Sequence, residues 1–266
     1  MALRPALHTW TLLGTPFTDI LRLAPTTGWD GLEVARAHIA PNHPTALPLA
    51  ELERQVRASG LPLACVAVDA GWVWADGDGR RKLLETFDQR CRFAAALGGR
   101  TVMSPVDQAK GDVKRAQASV REVGDIAARH GVRLAVEFNS QAPQLNALAP
   151  MREVMSGAAH PACGLLLDTY HLGRSGATLK EIEDVAPAEI AYVQYSDVPR
   201  TGTRPGYALD RLPPGRGSFP FKEFFALLRA KGYDGYMAYE APNEQAWMRP
   251  AEEVSREAAN ATRALL

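Results

Sequence analysis

The 266-residue sequence predicts an α/β protein, a (β/α)₈ TIM barrel formed by a single domain over residues 1–266. Eight short apolar segments alternate with longer segments whose apolar residues recur at spacings of three and four, the pattern of strands and amphipathic helices. Units of roughly 30 residues, with no break in composition, fit a barrel of about 250 residues. A doubly wound open sheet is the alternative. It typically carries a Gly-rich phosphate loop after its first strand, and HTWTLLGTPF is not such a loop.

The strand segments are short and apolar, and several end on a polar side chain. In chain order they are ALHTW, GLEVAR, PLACVAV, RTVMSPV, RLAVEFN, GLLLDTY, AYVQYS and GYMAYEA. Three of the intervening helices are clear from their periodicity: RKLLETFDQRCRFAAALG, GDVKRAQASVREVGDIAARHG and FKEFFALLRAKG. This order of elements favours a parallel sheet closed by crossover helices.

Composition excludes several classes of protein. With 30 basic and 30 acidic residues the chain has no formal net charge, which argues against a protein whose affinity depends on neutralising phosphates. No apolar run reaches the length of a membrane span and no secretory signal is recognisable, so we expect a soluble, cytoplasmic protein. Cys65, Cys91 and Cys163 are few and scattered, and are interpreted as reduced core thiols.

Two long connections are expected at the same end of the barrel. TGTRPGYALDRLPPGRGSFP follows the seventh strand, and DAGWVWADGDGR follows the third. Long loops in compact domains are usually functional, and barrels keep their active sites at the carboxyl ends of the strands. Trp72 and Trp74 in the second loop could line or cover a pocket, although packing is the more common role for such residues. His38, His43, His130 and His160 are expected to be solvated.

The last strands end on residues that can bind a cation. Glu137, Asp168, Gln194 and Glu240 follow the apolar stretches of strands five to eight, and neighbouring strands lie about 4.8 Å apart. Three carboxylates this close repel one another unless a cation lies between them. Carboxylate and amide oxygens suit a hard or borderline divalent ion. We therefore expect a metal site at this end of the barrel.

The motifs VEFN, LLLDTYHLGRSG, VQYSDVPR and YEAPNE, in this order, resemble those of the xylose isomerase-like barrels, the sugar phosphate isomerase/epimerase group. The resemblance covers the whole chain and implies one divalent metal ion held by Glu137, Asp168, Gln194 and Glu240. Many members have His where this chain has Gln194. An amide oxygen is harder than an imidazole, which favours manganese or magnesium, with cobalt or zinc as alternatives. Homo-oligomers are frequent in the group, although the sequence shows no interface pattern.

The resemblance also implies a reaction. The metal would bind the carbonyl and hydroxyl oxygens of a small sugar, inositol-type or keto-acid substrate and stabilise an enediolate. Glu137 and Glu240 would carry out the two proton transfers while remaining ligands, and His171 would bond a substrate hydroxyl or developing alkoxide. The glycines after His171 are expected to turn the chain toward its next helix.

Further residues are candidates for substrate binding. Arg200 falls where ketose epimerases of the group place a substrate-contacting residue, and Arg211 and Arg216 could orient substrate oxygens or a carboxylate. His8 and Glu33, at the ends of the first two strands, are expected to contact substrate, to support the ligands or to make structural hydrogen bonds. Trp247 is the aromatic residue best placed to line the pocket.

Three other functions remain to be weighed. A dehydratase of the 3-dehydroshikimate or inosose type would use the same enediolate to expel a β-hydroxyl. A barrel endonuclease would need a His-rich zinc cluster and a basic surface, which this sequence lacks. A non-catalytic carbohydrate-binding barrel would not need the pair Glu137 and Glu240.

Overall fold

A computed structural model describes residues 3–266 and shows a closed parallel barrel of eight strands in the order β1 to β8, as the sequence predicts. The strands are β1 Arg4–His8, β2 Gly31–Val34, β3 Leu63–Ala67, β4 Thr101–Pro105, β5 Arg133–Glu137, β6 Cys163–Asp168, β7 Ile190–Tyr195 and β8 Tyr236–Tyr239. The α-helices are α1 Phe17–Thr27, α2 Leu49–Ser59, α3 Gly77–Ala96, α4 Val113–Arg129, α5 Leu148–Ala158, α6 Thr169–Arg174, α7 Leu179–Glu183, α8 Phe221–Ala230 and α9 Ala251–Arg263.

Two apolar layers hold the barrel together. The larger cluster lies between the strands and the helices and contains most of the buried Leu, Val, Ile and Phe side chains. A second cluster fills the barrel interior with mostly small side chains. Its members are Ala6, Ala64, Cys65, Ala67, Met103, Ala135, Leu166, Tyr192 and Ala238. The barrel is therefore packed below its mouth, and chemistry is confined to the carboxyl ends of the strands.

The first strand begins and ends earlier than predicted. Residues Thr9–Leu12 form a 3₁₀ turn, because the Nδ1 atom of His8 accepts a hydrogen bond from the Trp10 N–H and ends the strand. The sequence after Asp168 also differs from the prediction. Instead of a glycine-rich turn, helix α6 starts directly at Thr169, and Asp168 caps it by accepting from the Tyr170 N–H at 2.9 Å.

Two aromatic side chains, of which His38 was expected to be solvated, are buried. Trp72 is 1% exposed, and its indole N–H donates to Ser104 Oγ, so it packs into the core and does not cover a pocket. His38 is also 1% exposed and lies against Phe17, which corrects the expectation of a solvated imidazole. Both residues lie in connections between a strand and the next α-helix, and the packing of such a connection depends on distant contacts that local sequence does not reveal.

Other expectations from composition can be compared with the structure. All three cysteines are buried and free. Across residues 3–266 no helix is long and apolar enough to cross a membrane.

Candidate active site

The site lies where the inward-facing side chains of the barrel change from apolar to polar. Successive side chains along a strand point to opposite faces, so the residue two positions after an interior residue also points inward. His8 thus follows Ala6, Glu137 follows Ala135, Asp168 follows Leu166, Gln194 follows Tyr192 and Glu240 follows Ala238. The strand register places Asp168 directly beside Gln194. All five polar side chains are buried.

A guanidinium group lies among the carboxylates. The Nη1 atom of Arg211 donates to Asp168 Oδ2 at 2.8 Å and to Glu240 Oε2 at 2.8 Å. The side chain is 3% exposed, and its guanidinium stacks 4.4 Å above the ring of Tyr170. The sequence predicts a substrate-binding arginine here, whereas the structure engages Arg211 with two of the predicted metal ligands.

The long loop after β7 is what delivers Arg211. Asp197 and Leu212 form an antiparallel bridge with backbone hydrogen bonds in both directions, of 2.7 and 3.0 Å. The Asn243 side-chain amide donates to the Arg211 carbonyl at 3.0 Å. The Arg211 backbone is therefore fixed from both sides, and its side chain reaches back into the barrel mouth.

The carboxyl groups differ in the electrostatics that they experience. Burial, followed by the charges of Asp168 and Glu240, raises the pKa of Glu137 well above its usual value. Burial also raises the pKa of Glu240, to about 7, against the opposing charge of Arg211. Burial acts on Asp168 in the same sense, but Arg211, His171 and the Tyr170 N–H outweigh it and hold the pKa of Asp168 below its usual value. Without a bound cation, the negative charge of an ionised Glu137 therefore receives little compensation from its neighbours.

His171 presents a hydrogen-bond donor to this cluster. Its Nδ1 atom accepts from the Ser140 N–H at 3.2 Å and lies 2.9 Å from Ser140 Oγ. Burial lowers the pKa of His171 to about 4, so the ring is neutral and only one of its nitrogens can accept. Arg211 Nη2 also lies 3.4 Å from His171 Nε2, and the shorter bond from the Ser140 N–H is what assigns Nδ1 as the acceptor and places the proton on Nε2. That Nε2 atom lies 3.7 Å from Glu137 Oε1 and 3.9 Å from Asp168 Oδ2.

The opposite side of the mouth contains a second hydrogen-bonded group. The Nδ1 atom of His8 is engaged by Trp10, so its Nε2 carries the proton and lies 3.4 Å from Glu240 Oε1 and 3.6 Å from Glu33 Oε1. Burial lowers the pKa of His8 to about 3, which keeps this ring neutral. Glu33 is completely buried and accepts a hydrogen bond from Gln194 Nε2 at 2.8 Å.

The donor set fits a divalent cation. The buried oxygens Glu137 Oε1 and Gln194 Oε1 have no hydrogen-bond partner among residues 3–266. Glu137, Asp168 and His171 each offer one atom within 4.8 Å of the others, which suggests a divalent metal site. Of these three, only the carboxylates have lone pairs free, because the proton on His171 Nε2 occupies the position that a metal would need. Glu137 and Asp168 therefore suit a metal better than His171 does.

The other predicted substrate-binding residues are not in this cluster. Arg200 and Arg216 are exposed, and neither makes a hydrogen bond or ion pair with the site carboxylates in the part of the chain that is described. Trp247 is half-buried and donates its indole N–H to the Thr11 carbonyl at 3.1 Å. The roles assigned to these three residues remain predictions.

Sequence reasoning missed the supporting roles of two residues. Tyr170 lies between Asp168 and His171 in the chain, stacks on Arg211 and donates its hydroxyl proton to Asp210 at 2.6 Å. Ser140 fixes the His171 tautomer. The signal for Tyr170 was its place inside the DTYH motif, whereas Ser140 carries no such signal.

Two cavities of the protein lie away from the cluster. Cavities of about 790 and 580 Å³ lie elsewhere, one near the amino-terminal ends of β5 and β6 and the other between α3 and α4, and none of the site residues lines them.

Comparison with known proteins finds a matching family model and several relatives of this chain. A family model described as a xylose isomerase-like TIM barrel matches residues 21–265. An inosose isomerase of Bacillus velezensis is 24% identical over 96% of this chain and 94% of its own length. An inosose isomerase of Halalkalibacterium halodurans is 26% identical over 58% of this chain and 55% of its own length. A 3-dehydroshikimate dehydratase of Pseudomonas putida is 26% identical over 90% of this chain, which corresponds to 38% of that longer protein.

The fold has close structural counterparts as well. The crystal structure of an IolI protein with a bound zinc atom superposes with a TM-score of 0.87, covers 99% of this chain and 98% of its own, and is 19% identical in sequence. At that identity the similarity shows the fold.

Proposed function

Because the chain belongs to the xylose isomerase-like TIM-barrel family, we propose that it is a divalent-metal-dependent isomerase or epimerase of a small polyhydroxy ketone. The observation that carries this proposal is the placement of Glu137 and Glu240. The two glutamates lie on either side of Asp168 and Gln194 at the carboxyl end of the barrel, and both have a raised pKa. Two carboxyl groups poised on either side of one bound substrate can remove a proton and return one.

The ligands in this proposal are Glu137, Asp168, Gln194 and Glu240. When bound, the ion would act as a Lewis acid that polarises a substrate carbonyl. Manganese or magnesium suits the oxygen-only donor set best, with cobalt or zinc as alternatives. The orphaned oxygens of Glu137 and Gln194 support this assignment.

The remaining steps belong to the side chains. One glutamate takes the proton from the carbon next to the substrate carbonyl, and the other delivers a proton to the neighbouring carbon or to the opposite face of the same carbon. His171 donates its Nε2 proton to an adjacent substrate oxygen, and Ser140 keeps it in that tautomer. Arg211 and Tyr170 close the site against water.

The charges of the site favour an uncharged substrate. Glu33, Glu137, Asp168 and Glu240 are buried together, and Arg211 is the one cation that contacts them within residues 3–266. That arginine already binds two carboxylates, so a carboxylated substrate would have the proposed metal ion as its only free cationic partner there among the described residues. Inosose-type and keto-sugar substrates, as in the names of the relatives, meet this requirement.

A dehydratase is the second candidate. The relative named 3-dehydroshikimate dehydratase aligns over 90% of this chain, and the same proton abstraction expels a hydroxyl where one lies β to the carbonyl. The exposed Arg216 and Arg200 would then have to reach a substrate carboxylate.

The test is a panel of ketones incubated in D2O with the enzyme and Mn²⁺ or Mg²⁺, followed by proton NMR. We expect deuterium to enter next to the carbonyl of an uncharged cyclic or open-chain keto-polyol, with loss of exchange in Glu137→Gln and Glu240→Gln. Glu253→Gln, the same substitution on the exposed face of α9, is the control. Water loss from a carboxylated ketone alone would favour the dehydratase, and no exchange with any ketone would favour a binding barrel.

A further inference from the structure

Glu33 and Gln194 make a buried contact across the barrel interior. Glu33 is on β2 and Gln194 on β7, two strands that are separated in the sheet by β1 and β8. Both side chains are 0% exposed, and Gln194 Nε2 donates to Glu33 Oε1 at 2.8 Å. A contact this deep in the barrel excludes water, so the partner of Gln194 is set by the protein alone.

This contact decides which end of the amide is free. The oxygen and the NH₂ group of a glutamine are nearly identical in shape but opposite in hydrogen bonding, so its neighbours determine the orientation. Glu33 accepts from the NH₂ end, and Gln194 Oε1 is left buried with no hydrogen-bond partner among the described residues. A glutamine can bind a cation only through its oxygen, since the NH₂ nitrogen has no available lone pair.

Gln194 lies between the strands of two other proposed metal ligands, so its free oxygen is close to the proposed metal site. Its backbone pairs with Asp168 on one side and with Ala238 on the other, and Ala238 lies two residues before Glu240. Gln194 is therefore located between the strands that carry two of the proposed ligands.

We propose that Glu33 is a positioning residue that holds the Gln194 amide with its oxygen available to the metal, and that it does not contact substrate. The inference rests on the proposed metal site. It assigns to Glu33 the role that outer hydrogen-bond partners have in other metal sites, where they orient a ligand and their loss costs about 10–100-fold in metal affinity. It also gives a reason why a glutamine can serve where many members of the family have a histidine.

The test removes the acceptor in one variant and exchanges the two functional groups in another. Glu33→Met has no hydrogen-bond acceptor for the Gln194 NH₂ group, so the amide is no longer held with its oxygen toward the metal. In the double variant Glu33→Gln/Gln194→Glu the amide at 33 donates to one carboxylate oxygen at 194 and leaves the other free. All three substitutions are nearly isosteric, so the packing of the barrel interior is retained.

The readout is Mn²⁺ affinity, measured from the electron paramagnetic resonance of free Mn²⁺ and without any substrate. We expect Glu33→Met to bind about 10–100-fold more weakly and the double variant to return to within about tenfold of wild type. Glu253→Met is the matched surface control, and Glu240→Ala marks the effect of losing a ligand. If Glu33→Met does not fold, the double variant is decisive by itself, since it keeps the hydrogen bond.

The outcomes separate the two proposals. Equal Mn²⁺ affinity in wild type and folded Glu33→Met would overturn the positioning role and leave the proposed function standing. Weak binding in a folded double variant would also overturn it. A wild-type protein that binds no Mn²⁺ would overturn both.

Discussion

The Nη1 atom of Arg211 lies 2.8 Å from Oδ2 of Asp168, although the two residues are 43 positions apart in the chain. The same nitrogen lies 2.8 Å from Glu240 Oε2, so one guanidinium links two strand ends of the barrel. A buried ion pair is costly to break because removal of one partner leaves an uncompensated charge. Arg211 therefore acts as the internal counter-ion of the site.

The first prediction concerns stability with and without metal. In the absence of divalent ions, Arg211→Met should lower the free energy of unfolding by about 3–5 kcal/mol, the typical cost of breaking a buried pair. Mn²⁺ should restore more stability to this variant than to wild type, because the ion supplies the missing charge. Urea denaturation with EDTA and with Mn²⁺ measures both effects. Arg216→Met is the control, since Arg216 is exposed. Equal stability of the two variants in EDTA would contradict the counter-ion role.

The second prediction is that His171 acts as a hydrogen-bond donor and not as a metal ligand. The Nδ1 atom of His171 accepts from Ser140 N–H, so we expect the imidazole to donate through Nε2 and not to bind metal. His171→Ala should leave Mn²⁺ affinity within a few-fold of wild type while kcat falls about 10²–10³-fold, the usual cost of losing a donor to a developing oxyanion. Calorimetric titration and steady-state kinetics measure the two quantities. Loss of metal binding in the folded variant would show that His171 is a ligand.

The third prediction concerns acid stability. Burial lowers the pKa of His38 to about 4, below its unfolded value of 6.5. The folded ring therefore stays neutral where the unfolded ring takes up a proton, and the stability that His38 contributes is complete above pH 6.5 and is lost as the pH falls toward 4. Each such histidine changes the free energy of unfolding by about 1.4 kcal/mol per pH unit in that window.

His38→Gln should therefore reduce the loss of stability between pH 6.5 and 4, which denaturant titrations at several pH values can detect. The same substitution at His43, a half-buried histidine, serves as the comparison. A wild-type pH slope in His38→Gln would mean that this imidazole is protonated in the folded protein.

The fourth prediction tests the loop that carries Arg211. The Asp197 carboxylate accepts from the N–H groups of Gly215, Gly217 and Phe219, at 2.7 to 2.9 Å. A Cβ atom on Gly217 would lie 2.1 Å from the Val198 carbonyl oxygen, which is backbone and cannot move aside locally. Gly217→Ala should therefore open this loop to proteolysis and lower the melting temperature. Gly79→Ala, where a Cβ has no neighbour within 4 Å, should change neither, and equal behaviour of the two would contradict this account.

The barrel and its polar strand ends could be predicted from sequence because their signals are local. An apolar strand such as Leu165–Leu167 is recognisable from its residues alone. The alternation of side chains along it points Asp168 into the barrel. The strand register then places Asp168 beside Gln194, which follows from the order of the strands. In this part of the molecule, short-range pattern and topology agree.

The loop contributions could not be predicted in the same way. Arg211 is one of several arginines in a Gly/Pro-rich segment, and its burial depends on the bridge between Asp197 and Leu212, a long-range contact. The tautomer of His171 depends on Ser140, which comes from a different strand–helix connection. The contact of Glu33 with Gln194 spans 161 residues, so nothing near Glu33 in the chain predicts it.

The most direct test of the account is a calorimetric titration of Mn²⁺ into chelator-treated wild type and the Glu137→Ala/Glu240→Ala double variant, with folding of both checked by circular dichroism. The account predicts one ion bound per wild-type chain and none in the variant, since both substituted residues are proposed ligands. A wild-type protein that binds no divalent ion after reconstitution, or a variant that binds it equally well, would contradict the metal site on which the proposed function depends.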